Sequence, residues 1–278
     1  MKISVIVPVG NMDEWAVCER SIRHSINAYN GCVEAEILPC YDLEHRGAYV
    51  ARNEGLEKAL GDWIAWVDCD DMVEENWFSE IADAIEYHAD SDIIQFDAVE
   101  IRKGKERFLS YNKHGYVSGV DFSRELLRNT GMPAWLWTRV FRRELFAGEN
   151  FYGNELEDYR MFISILPHIK HVWSIGKVLY RYNRHGCGLS SHFQCMDYQC
   201  FSDDIMKLIK KLPRRLHRDA LIGLALTMAD VTVNSKANKN NAAKNIVREL
   251  LLQCLTDFDV PFRLKIKCIL AAFGVKLR

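Results

Sequence analysis

A short apolar run that ends in a cluster of carboxylates constrains the fold of this chain more than any other feature. The run covers residues 63–67, and Asp68, Asp70 and Asp71 follow it directly. An uninterrupted apolar segment of this length is typical of a strand that helices cover on both faces of a parallel sheet. Open α/β sheets bind ligands beyond the carboxyl ends of their strands, so we expect these carboxylates to border a ligand site.

The rest of the pattern predicts an α/β fold with a mixed sheet, because strand-like and helix-like segments alternate along the first half. We expect strands at residues 3–9, 36–41, 63–67, 92–98, 136–145, 172–175 and 178–182. Helices are expected over about 13–30, 49–60, 74–88 and 158–167, with a hairpin turn at Lys103 and Gly104. From about residue 195 the pattern is helical, which predicts one domain over 1–194 and a helical appendage over 195–278.

Composition narrows the class of protein. The 278 residues are 49% apolar and carry a formal charge of -2, so the whole-chain charge gives no reason to expect a nucleic-acid partner. The nine cysteines are scattered without a Cys-x-x-Cys pair, which indicates reduced thiols. No signal peptide and no membrane span are expected. We therefore predict a cytoplasmic protein that is soluble or peripheral at the inner face of a membrane.

Three aspartates in one loop favour a divalent cation. Crowded carboxylates are costly unless a cation or hydrogen-bond donors compensate them. Hard carboxylate oxygens suit Mg²⁺ or Mn²⁺, which complete their shells with water and phosphate oxygens. The alternative interpretation is a solvated turn that caps the following helix.

The motifs in chain order resemble those of glycosyltransferase family 2 over about residues 1–192. Residues 51–55 are similar to its "ARNxG" helix, residues 66–71 to its "DxDD" loop, and residues 133–143 to its acceptor-side strand. Glu157 and Asp158 resemble the helix-opening "ED", and residues 179–182 with Ser190 resemble the closing "YxYR...S" segment.

The resemblance implies a GT-A fold (the Rossmann-like nucleotide-diphospho-sugar transferase fold), bound Mn²⁺ or Mg²⁺, and inverting transfer from a nucleotide-diphosphate sugar, a UDP-sugar by expectation. It also implies cell-surface polysaccharide assembly, with a glycan or lipid-linked saccharide as acceptor. Asp158 would be the general base, with Glu157 as the alternative base or as the group that orients it. The metal ligands implied are Asp70, Asp68 and His185. The donor-binding residues implied are Pro8, Val9, Asp42, Arg52, Asp68 and Arg181. Trp137 and Arg139 would lie on the acceptor side, although paired tryptophans in a strand also suit a core.

One departure from the family pattern leaves alternatives open. Only about a dozen residues separate Val33 from Arg46, so one strand-helix step of the family is missing, and Asp42 is the substitute for the base-reading aspartate. A sugar-binding relative without catalysis is the first alternative. A phosphotransferase with Asp68 as nucleophile is the second.

The last segment, residues 261–278, mixes basic and apolar residues. Helices that lie on membrane surfaces have this composition, and so do helices docked with a basic outer face. We therefore expect either peripheral membrane contact or a docked helix here.

Overall fold

The computed structural model describes residues 1–44, 46–111, 113–128, 134–153, 156–184, 198–234 and 241–275. The chain divides into two compact units. The first comprises Met1–Val120 and Trp135–His185, and the second comprises Asp121–Ala134 and Gly186–Arg278. The second unit therefore includes residues 121–134, which the predicted division assigns to the first domain.

The strands of the described residues form one nine-stranded mixed sheet in the first unit. They are β1 (Lys2–Val9), β2 (Glu34–Tyr41), β3 (Trp63–Trp66), β4 (Met72–Val73), β5 (Ile93–Arg102), β6 (Lys105–Leu109), β7 (Gly115–Ser118), β8 (Arg139–Arg142) and β9 (His171–Asn183). The main path runs β2-β1-β3-β8-β5-β9-β4, while β6 pairs with β5 and β7 with β9. The predicted mixed α/β sheet is confirmed.

Parallel pairing brings three strand ends to one edge of this sheet. β1 lies between β2 and β3 and is parallel to both, with Val9 opposite Tyr41 and Ile6 opposite Trp66. The carboxyl ends of these three strands therefore meet, and the loops that follow them lie side by side.

Within the described chain up to residue 165, five helices accompany the strands. They are α1 (Met12–Asn27), α2 (Ala48–Lys58), α3 (Trp77–Tyr87), α4 (Gly119–Arg128), which continues into the second unit, and α5 (Glu157–Ile165). α1 and α3 pack on the face of β1 that carries Val5 and Val7. α2 packs on the opposite face, where a Cβ atom at Gly55 would lie 2.2 Å from the Ile6 side chain. A glycine at this position lets the helix approach the strand closely.

The described residues of the second unit form four further helices, as the helical pattern of the sequence predicts. They are α6 (Tyr198–Lys211), α7 (Arg214–Asn234), α8 (Asn241–Leu255) and α9 (Phe262–Phe273). Within this unit Arg128 donates hydrogen bonds to Asp219 at 2.6 Å and to Asp257 at 2.9 Å. Among the described residues, no helix combines the length and apolar character that crossing a membrane requires.

Three predicted strands differ from the structure. The expected strand at 136–145 is only the four-residue β8, flanked by short 3₁₀ turns at Leu136–Thr138 and Arg143–Phe146. The two strands expected at 172–175 and 178–182 are one long strand, β9, whose register with β5 shifts near Gly176. Gly176 has a φ of +69°, a conformation that glycine adopts without strain and that local periodicity does not reveal.

Candidate active site

The acidic loop after β3 is held in place by β9. The Asp68 amide donates to the Tyr180 hydroxyl oxygen at 3.1 Å, and that hydroxyl donates to the Asp71 carboxylate at 2.8 Å. The Asn183 amide also donates to Asp71, at 2.7 Å, and the Asn183 side chain donates to the Asp70 carbonyl at 2.8 Å. These hydrogen bonds fix the loop on the late strand of the sheet.

Asp71 is the aspartate that anchors the loop. Its side chain is buried, whereas Asp68 and Asp70 are partly exposed. Burial raises the pKa of Asp71 well above its ordinary value, and the neighbouring Asp68 and Asp70 raise it further. Because hydrogen bonds from β9 occupy both of its oxygens, Asp71 serves the shape of the loop. Asp68 and Asp70 remain the carboxylates predicted to bind a ligand.

Arg52 of α2 brings three of the predicted carboxylates together. Its guanidinium donates to Asp68 at 3.3 Å, lies 3.4 Å from Asp158, and forms a short ion pair with Glu157. The Arg52 side chain is only 7% exposed. The three carboxylates raise the pKa of Arg52 although burial lowers it, so Arg52 is a permanent cation at the centre of this group.

Asn53, the next residue of α2, ties the same helix to the segment that leads into α5. Its side chain donates to the Phe151 carbonyl at 2.8 Å and accepts the Phe151 amide at 2.8 Å.

Immediately before α5, Leu156 adopts a left-handed conformation with φ +54°. Such a conformation is costly for a residue with a branched side chain. It is the turn through which the chain delivers Glu157 and Asp158 to Arg52.

Asp158 has a perturbed carboxyl group. Burial raises its pKa to about 7, Arg52 opposes that shift, and Glu157 and Asp68 add to it. Its Oδ1 atom is enclosed and, apart from the 3.4 Å ion pair with Arg52, has no hydrogen-bond partner among the described residues. A carboxylate with a pKa near neutrality is suited to taking up a proton at neutral pH.

The donor atoms at the acidic loop fit a hard divalent cation. Asp68 and Asp70 offer carboxylate oxygens, and Mg²⁺ or Mn²⁺ needs only one or two of these when phosphate and water supply the rest. The described residues contain no group of three metal-ligating side chains. The third predicted ligand, His185, lies outside the described residues.

Three of the predicted donor-binding residues, Pro8, Val9 and Asp42, lie at the carboxyl ends of β1 and β2, on the same edge of the sheet as the acidic loop. The Val9 carbonyl accepts the Asp42 amide at 2.9 Å, and Pro8 lies opposite Cys40 in the register of β1 and β2. The Asp42 carboxylate accepts the amides of Arg46 at 2.8 Å and Gly47 at 2.7 Å, which lowers its pKa. Asp42 thus shapes the turn before α2, and β2 leads into that helix without a further strand-helix step.

The predicted acceptor-side residues are enclosed. Arg139 is fully buried, its guanidinium lies 5.1 Å from the ring centres of Tyr111 and Phe162, and it donates to the Trp135 carbonyl at 2.5 Å. Burial lowers the pKa of Arg139. A buried guanidinium does not reach an acceptor, so its effect on one would pass through Trp135.

Trp137 is the centre of an aromatic cluster. Its ring stacks on Trp135 at 4.9 Å, on Tyr180 at 4.7 Å and on Tyr182 at 5.1 Å. Trp137 itself is 5% exposed, while Trp135 and Tyr182 are half-buried and border solvent. The cluster joins the acidic loop through Tyr180.

The structure does not bring Arg181 to the acidic loop. Arg181 donates to Glu74 at 3.1 Å and to Glu106 at 2.9 Å. The reason is strand alternation, because Tyr180 faces the loop and its neighbour must face the other side. The motif resemblance pointed to the cation of this segment and not to Tyr180 or Asn183. Alternation along residues 179–183 was the signal that could have found Tyr180.

Comparisons of the sequence with known proteins point to glycosyltransferases. The family described as Glycosyl transferase family 2 matches residues 39–147. A relative from Escherichia coli (strain K12), "Uncharacterized glycosyltransferase YibD", is 28% identical over 255 residues, covering 77% of this chain and 71% of the relative.

Solved structures of S. aureus TarS 1-349 are similar over 99% of this chain and 88% of theirs. The complex with UDP-GlcNAc has a TM-score of 0.70 at 16% identity, and the complex with UDP has a TM-score of 0.68 at 14% identity. At such identities the likeness is one of fold.

Proposed function

We propose that this chain, which has the GT-A fold, is a family 2 glycosyltransferase that moves a sugar from a nucleotide-diphosphate donor to a hydroxyl acceptor with inversion. The observation that carries this proposal is the convergence of Asp68 and Asp158 on the Arg52 guanidinium, at 3.3 and 3.4 Å. A carboxylate base and a donor-side carboxylate are thereby held within one site.

Asp158 is the general base of the proposed reaction. The acceptor oxygen attacks the anomeric carbon as the bond from that carbon to the diphosphate breaks, and the hydroxyl proton passes to the Asp158 carboxylate. The raised pKa of about 7 supports this role, because a base is most effective when its pKa is close to the working pH. Glu157, paired with Arg52, orients the guanidinium against Asp158.

The donor side is formed by the loops after β1, β2 and β3. Asp68 and Asp70 would hold Mn²⁺ or Mg²⁺, which when bound balances the charge that develops on the leaving diphosphate. Arg52 keeps Asp68 in position. Pro8, Val9 and the turn that Asp42 caps form the wall for the nucleoside.

The aromatic cluster is the proposed acceptor side. Trp135 and Tyr182 offer half-exposed rings, and a pyranose ring packs its apolar face on such rings. Trp137 supports both rings from the interior, and Arg139 fixes the Trp135 carbonyl. Arg139 is a positioning residue in this scheme.

The donor nucleotide is proposed to be uridine diphosphate and the acceptor a surface glycan or lipid-linked saccharide. The motivation for uridine is that S. aureus TarS 1-349, which shares the fold, was solved with UDP-GlcNAc. The assembly of such glycans on activated donors agrees with a cytoplasmic site of action.

A screen of nucleotide sugars tests the proposal. Melting temperature is measured with UDP-, GDP-, CDP- and dTDP-sugars, with and without Mn²⁺, and release of nucleoside diphosphate is measured in parallel. A donor at about 100 times its Kd adds about 2.7 kcal/mol to the free energy of unfolding, so its identity is visible as a raised melting temperature. If no nucleotide sugar protects the protein or is hydrolysed, the transferase proposal fails.

A further inference from the structure

Helix α9 turns an apolar stripe toward solvent. Phe262, Ile266, Ile269 and Phe273 follow one another at helical spacing, so they share one face. Phe262 is 77% exposed, Phe273 is 74% exposed and Ile266 is 39% exposed. Ile269 is half-buried between them. Several large apolar side chains exposed along one helix face are unusual on a protein surface and mark an interaction site.

The opposite face of α9 is the one that packs within the second unit. Cys268, Ala271 and Ala272 are buried there. Arg248 of α8 donates to the Ala272 carbonyl at 2.7 Å, which fixes the C-terminal end of α9. α9 therefore already buries its packing face within the second unit, and the apolar stripe is a separate face that points outward.

Two further large apolar side chains that precede α9 in the chain are exposed. At the end of α8, Leu252 is 70% exposed, and in the turn before α9 Phe258 is fully exposed. Because α9 begins only a few residues after Phe258, this turn and the Phe262 end of the stripe lie in the same part of the unit. We call Phe258 and the α9 stripe the apolar surface.

Positive charge flanks the α9 stripe. On a helical wheel Arg263 lies on one side of the stripe and Lys265 on the other. Arg263 is exposed and Lys265 is half-buried. Residues 260–278 include five lysines and arginines and no aspartate or glutamate, and one of these cations, Lys267, pairs with Asp230. Asp257 and Asp259, which flank Phe258, pair with Arg128. An apolar stripe with basic borders suits the boundary between anionic headgroups and acyl chains.

We propose that the apolar surface binds an anionic lipid bilayer, with α9 lying in the plane of its headgroups. The 12 residues of α9 span about 18 Å, a length that matches a helix lying on a bilayer. A second copy of the chain is the competing occupant. Two copies meeting on this face would bring the same basic borders together, and that repulsion opposes pairing. Anionic lipid offers the complementary charge.

Vesicle flotation of the full chain tests the proposal, with no donor present, so the result is independent of the transferase activity. Vesicles of phosphatidylcholine alone are compared with vesicles that also contain phosphatidylglycerol. The wild-type chain is expected to float with the phosphatidylglycerol vesicles, and added salt should weaken that binding. No flotation with these vesicles would overturn the proposal.

Two variant pairs separate the apolar and the charged contributions. The double variant F262S/F273S is expected to lose at least about tenfold in vesicle affinity, because two exposed phenylalanines no longer enter the acyl boundary. Phe108→Ser is its matched control, since Phe108 on β6 is 71% exposed and lies in the other unit. Equal flotation of F262S/F273S and wild type would contradict the proposal.

The second pair is R263Q/K265Q, with K210Q/K211Q on exposed positions of α6 as its matched control. R263Q/K265Q is expected to lose about tenfold on phosphatidylglycerol vesicles and nothing on phosphatidylcholine alone. Circular dichroism and melting temperature verify that each variant folds. If F262S/F273S does not fold, the comparison of R263Q/K265Q with K210Q/K211Q decides the test. A wild-type dimer that F262S/F273S converts to monomer would assign the surface to a second copy and overturn the lipid proposal.

Discussion

The Tyr180 hydroxyl donates a 2.8 Å hydrogen bond to the Asp71 carboxylate, so a strand late in the chain holds the acidic loop that follows an early one. The same hydroxyl accepts the Asp68 amide. Tyr180 is fully buried, and burial raises its pKa well above the ordinary value, so it stays a neutral donor at all working pH values. One phenol therefore fixes both ends of the loop that would face the donor.

Replacement of Tyr180 by phenylalanine is expected to destabilise the protein. The variant removes the donor to Asp71 and the acceptor of the Asp68 amide, at a cost of about 1–3 kcal/mol for buried polar groups. Denaturant unfolding measures the loss. Tyr87→Phe, at a position that is 82% exposed, is the control and should change the free energy of unfolding by less than about 0.5 kcal/mol. Equal stability of Y180F and wild type would show that these bonds contribute nothing.

Replacement of Asp158 by asparagine is expected to lower kcat by about 10²- to 10⁴-fold, the usual contribution of a general base. Donor affinity should stay the same, because an asparagine keeps the size of the side chain at the acceptor side of the site. Steady-state kinetics and calorimetry with the donor measure the two effects. Glu157→Gln is the matched neighbour and should lower kcat less. A D158N variant with normal turnover would remove Asp158 from the mechanism.

The rate is expected to depend on pH through Asp158. A general base acts when deprotonated, so kcat/KM should rise with pH, bend near the pKa of about 7 and level off above it. The pH profile of kcat/KM from pH 5 to 9 checks this. In D158N the remaining rate should lack the bend. A wild-type profile that is flat between pH 6 and 8 would contradict the assignment.

Loss of the Arg52 charge is expected to move that bend to higher pH. Arg52 lowers the pKa of Asp158, so Arg52→Met lets burial and the neighbouring carboxylates raise it further. Removing one partner of a buried ion pair also costs about 3–5 kcal/mol of stability. Arg52→Lys keeps the charge and is the control for both measurements. An unshifted bend in R52M would mean that the guanidinium does not act on Asp158.

Replacement of Asp70 by asparagine is expected to weaken the metal-dependent part of nucleotide binding by tenfold or more. Calorimetry with UDP in the presence and absence of Mn²⁺ isolates that part without any turnover. Asp83→Asn, an exposed position on α3, is the control. If D70N binds UDP and Mn²⁺ as the wild type does, Asp70 is not a metal ligand.

Local pattern was enough to predict the frame that carries this site. The apolar run before Asp68 and the alternation of strands and helices predicted the sheet and the edge where the loops meet. The helices after residue 197 also followed from their periodicity. In each of these, the spacing of apolar residues reflects a face that must be buried, and so the sequence carries the signal directly.

Local sequence patterns could not predict the contact between Arg52 and Glu157, because 105 residues separate them and their contact depends on how α2 and α5 pack. Local patterns could not predict the burial of Arg139 either. The motif resemblance predicted a substrate contact for it, but its guanidinium packs between Tyr111 and Phe162. Side-chain direction along β9 decided the difference between Tyr180 and Arg181. Resemblance to a family named the residues, and packing alone determined which of them face one another.

The two links of α2 have a consequence for how this enzyme can vary. Arg52 and Asn53 are adjacent, and together they set the spacing between the loop of Asp68 and the segment of Phe151. One residue inserted earlier in this helix would rotate both side chains by about 100° and break the two links at once. Surface loops can lengthen without altering the distance between the Asp68 loop and the Phe151 segment, whereas α2 cannot gain or lose one residue before Arg52 without altering it.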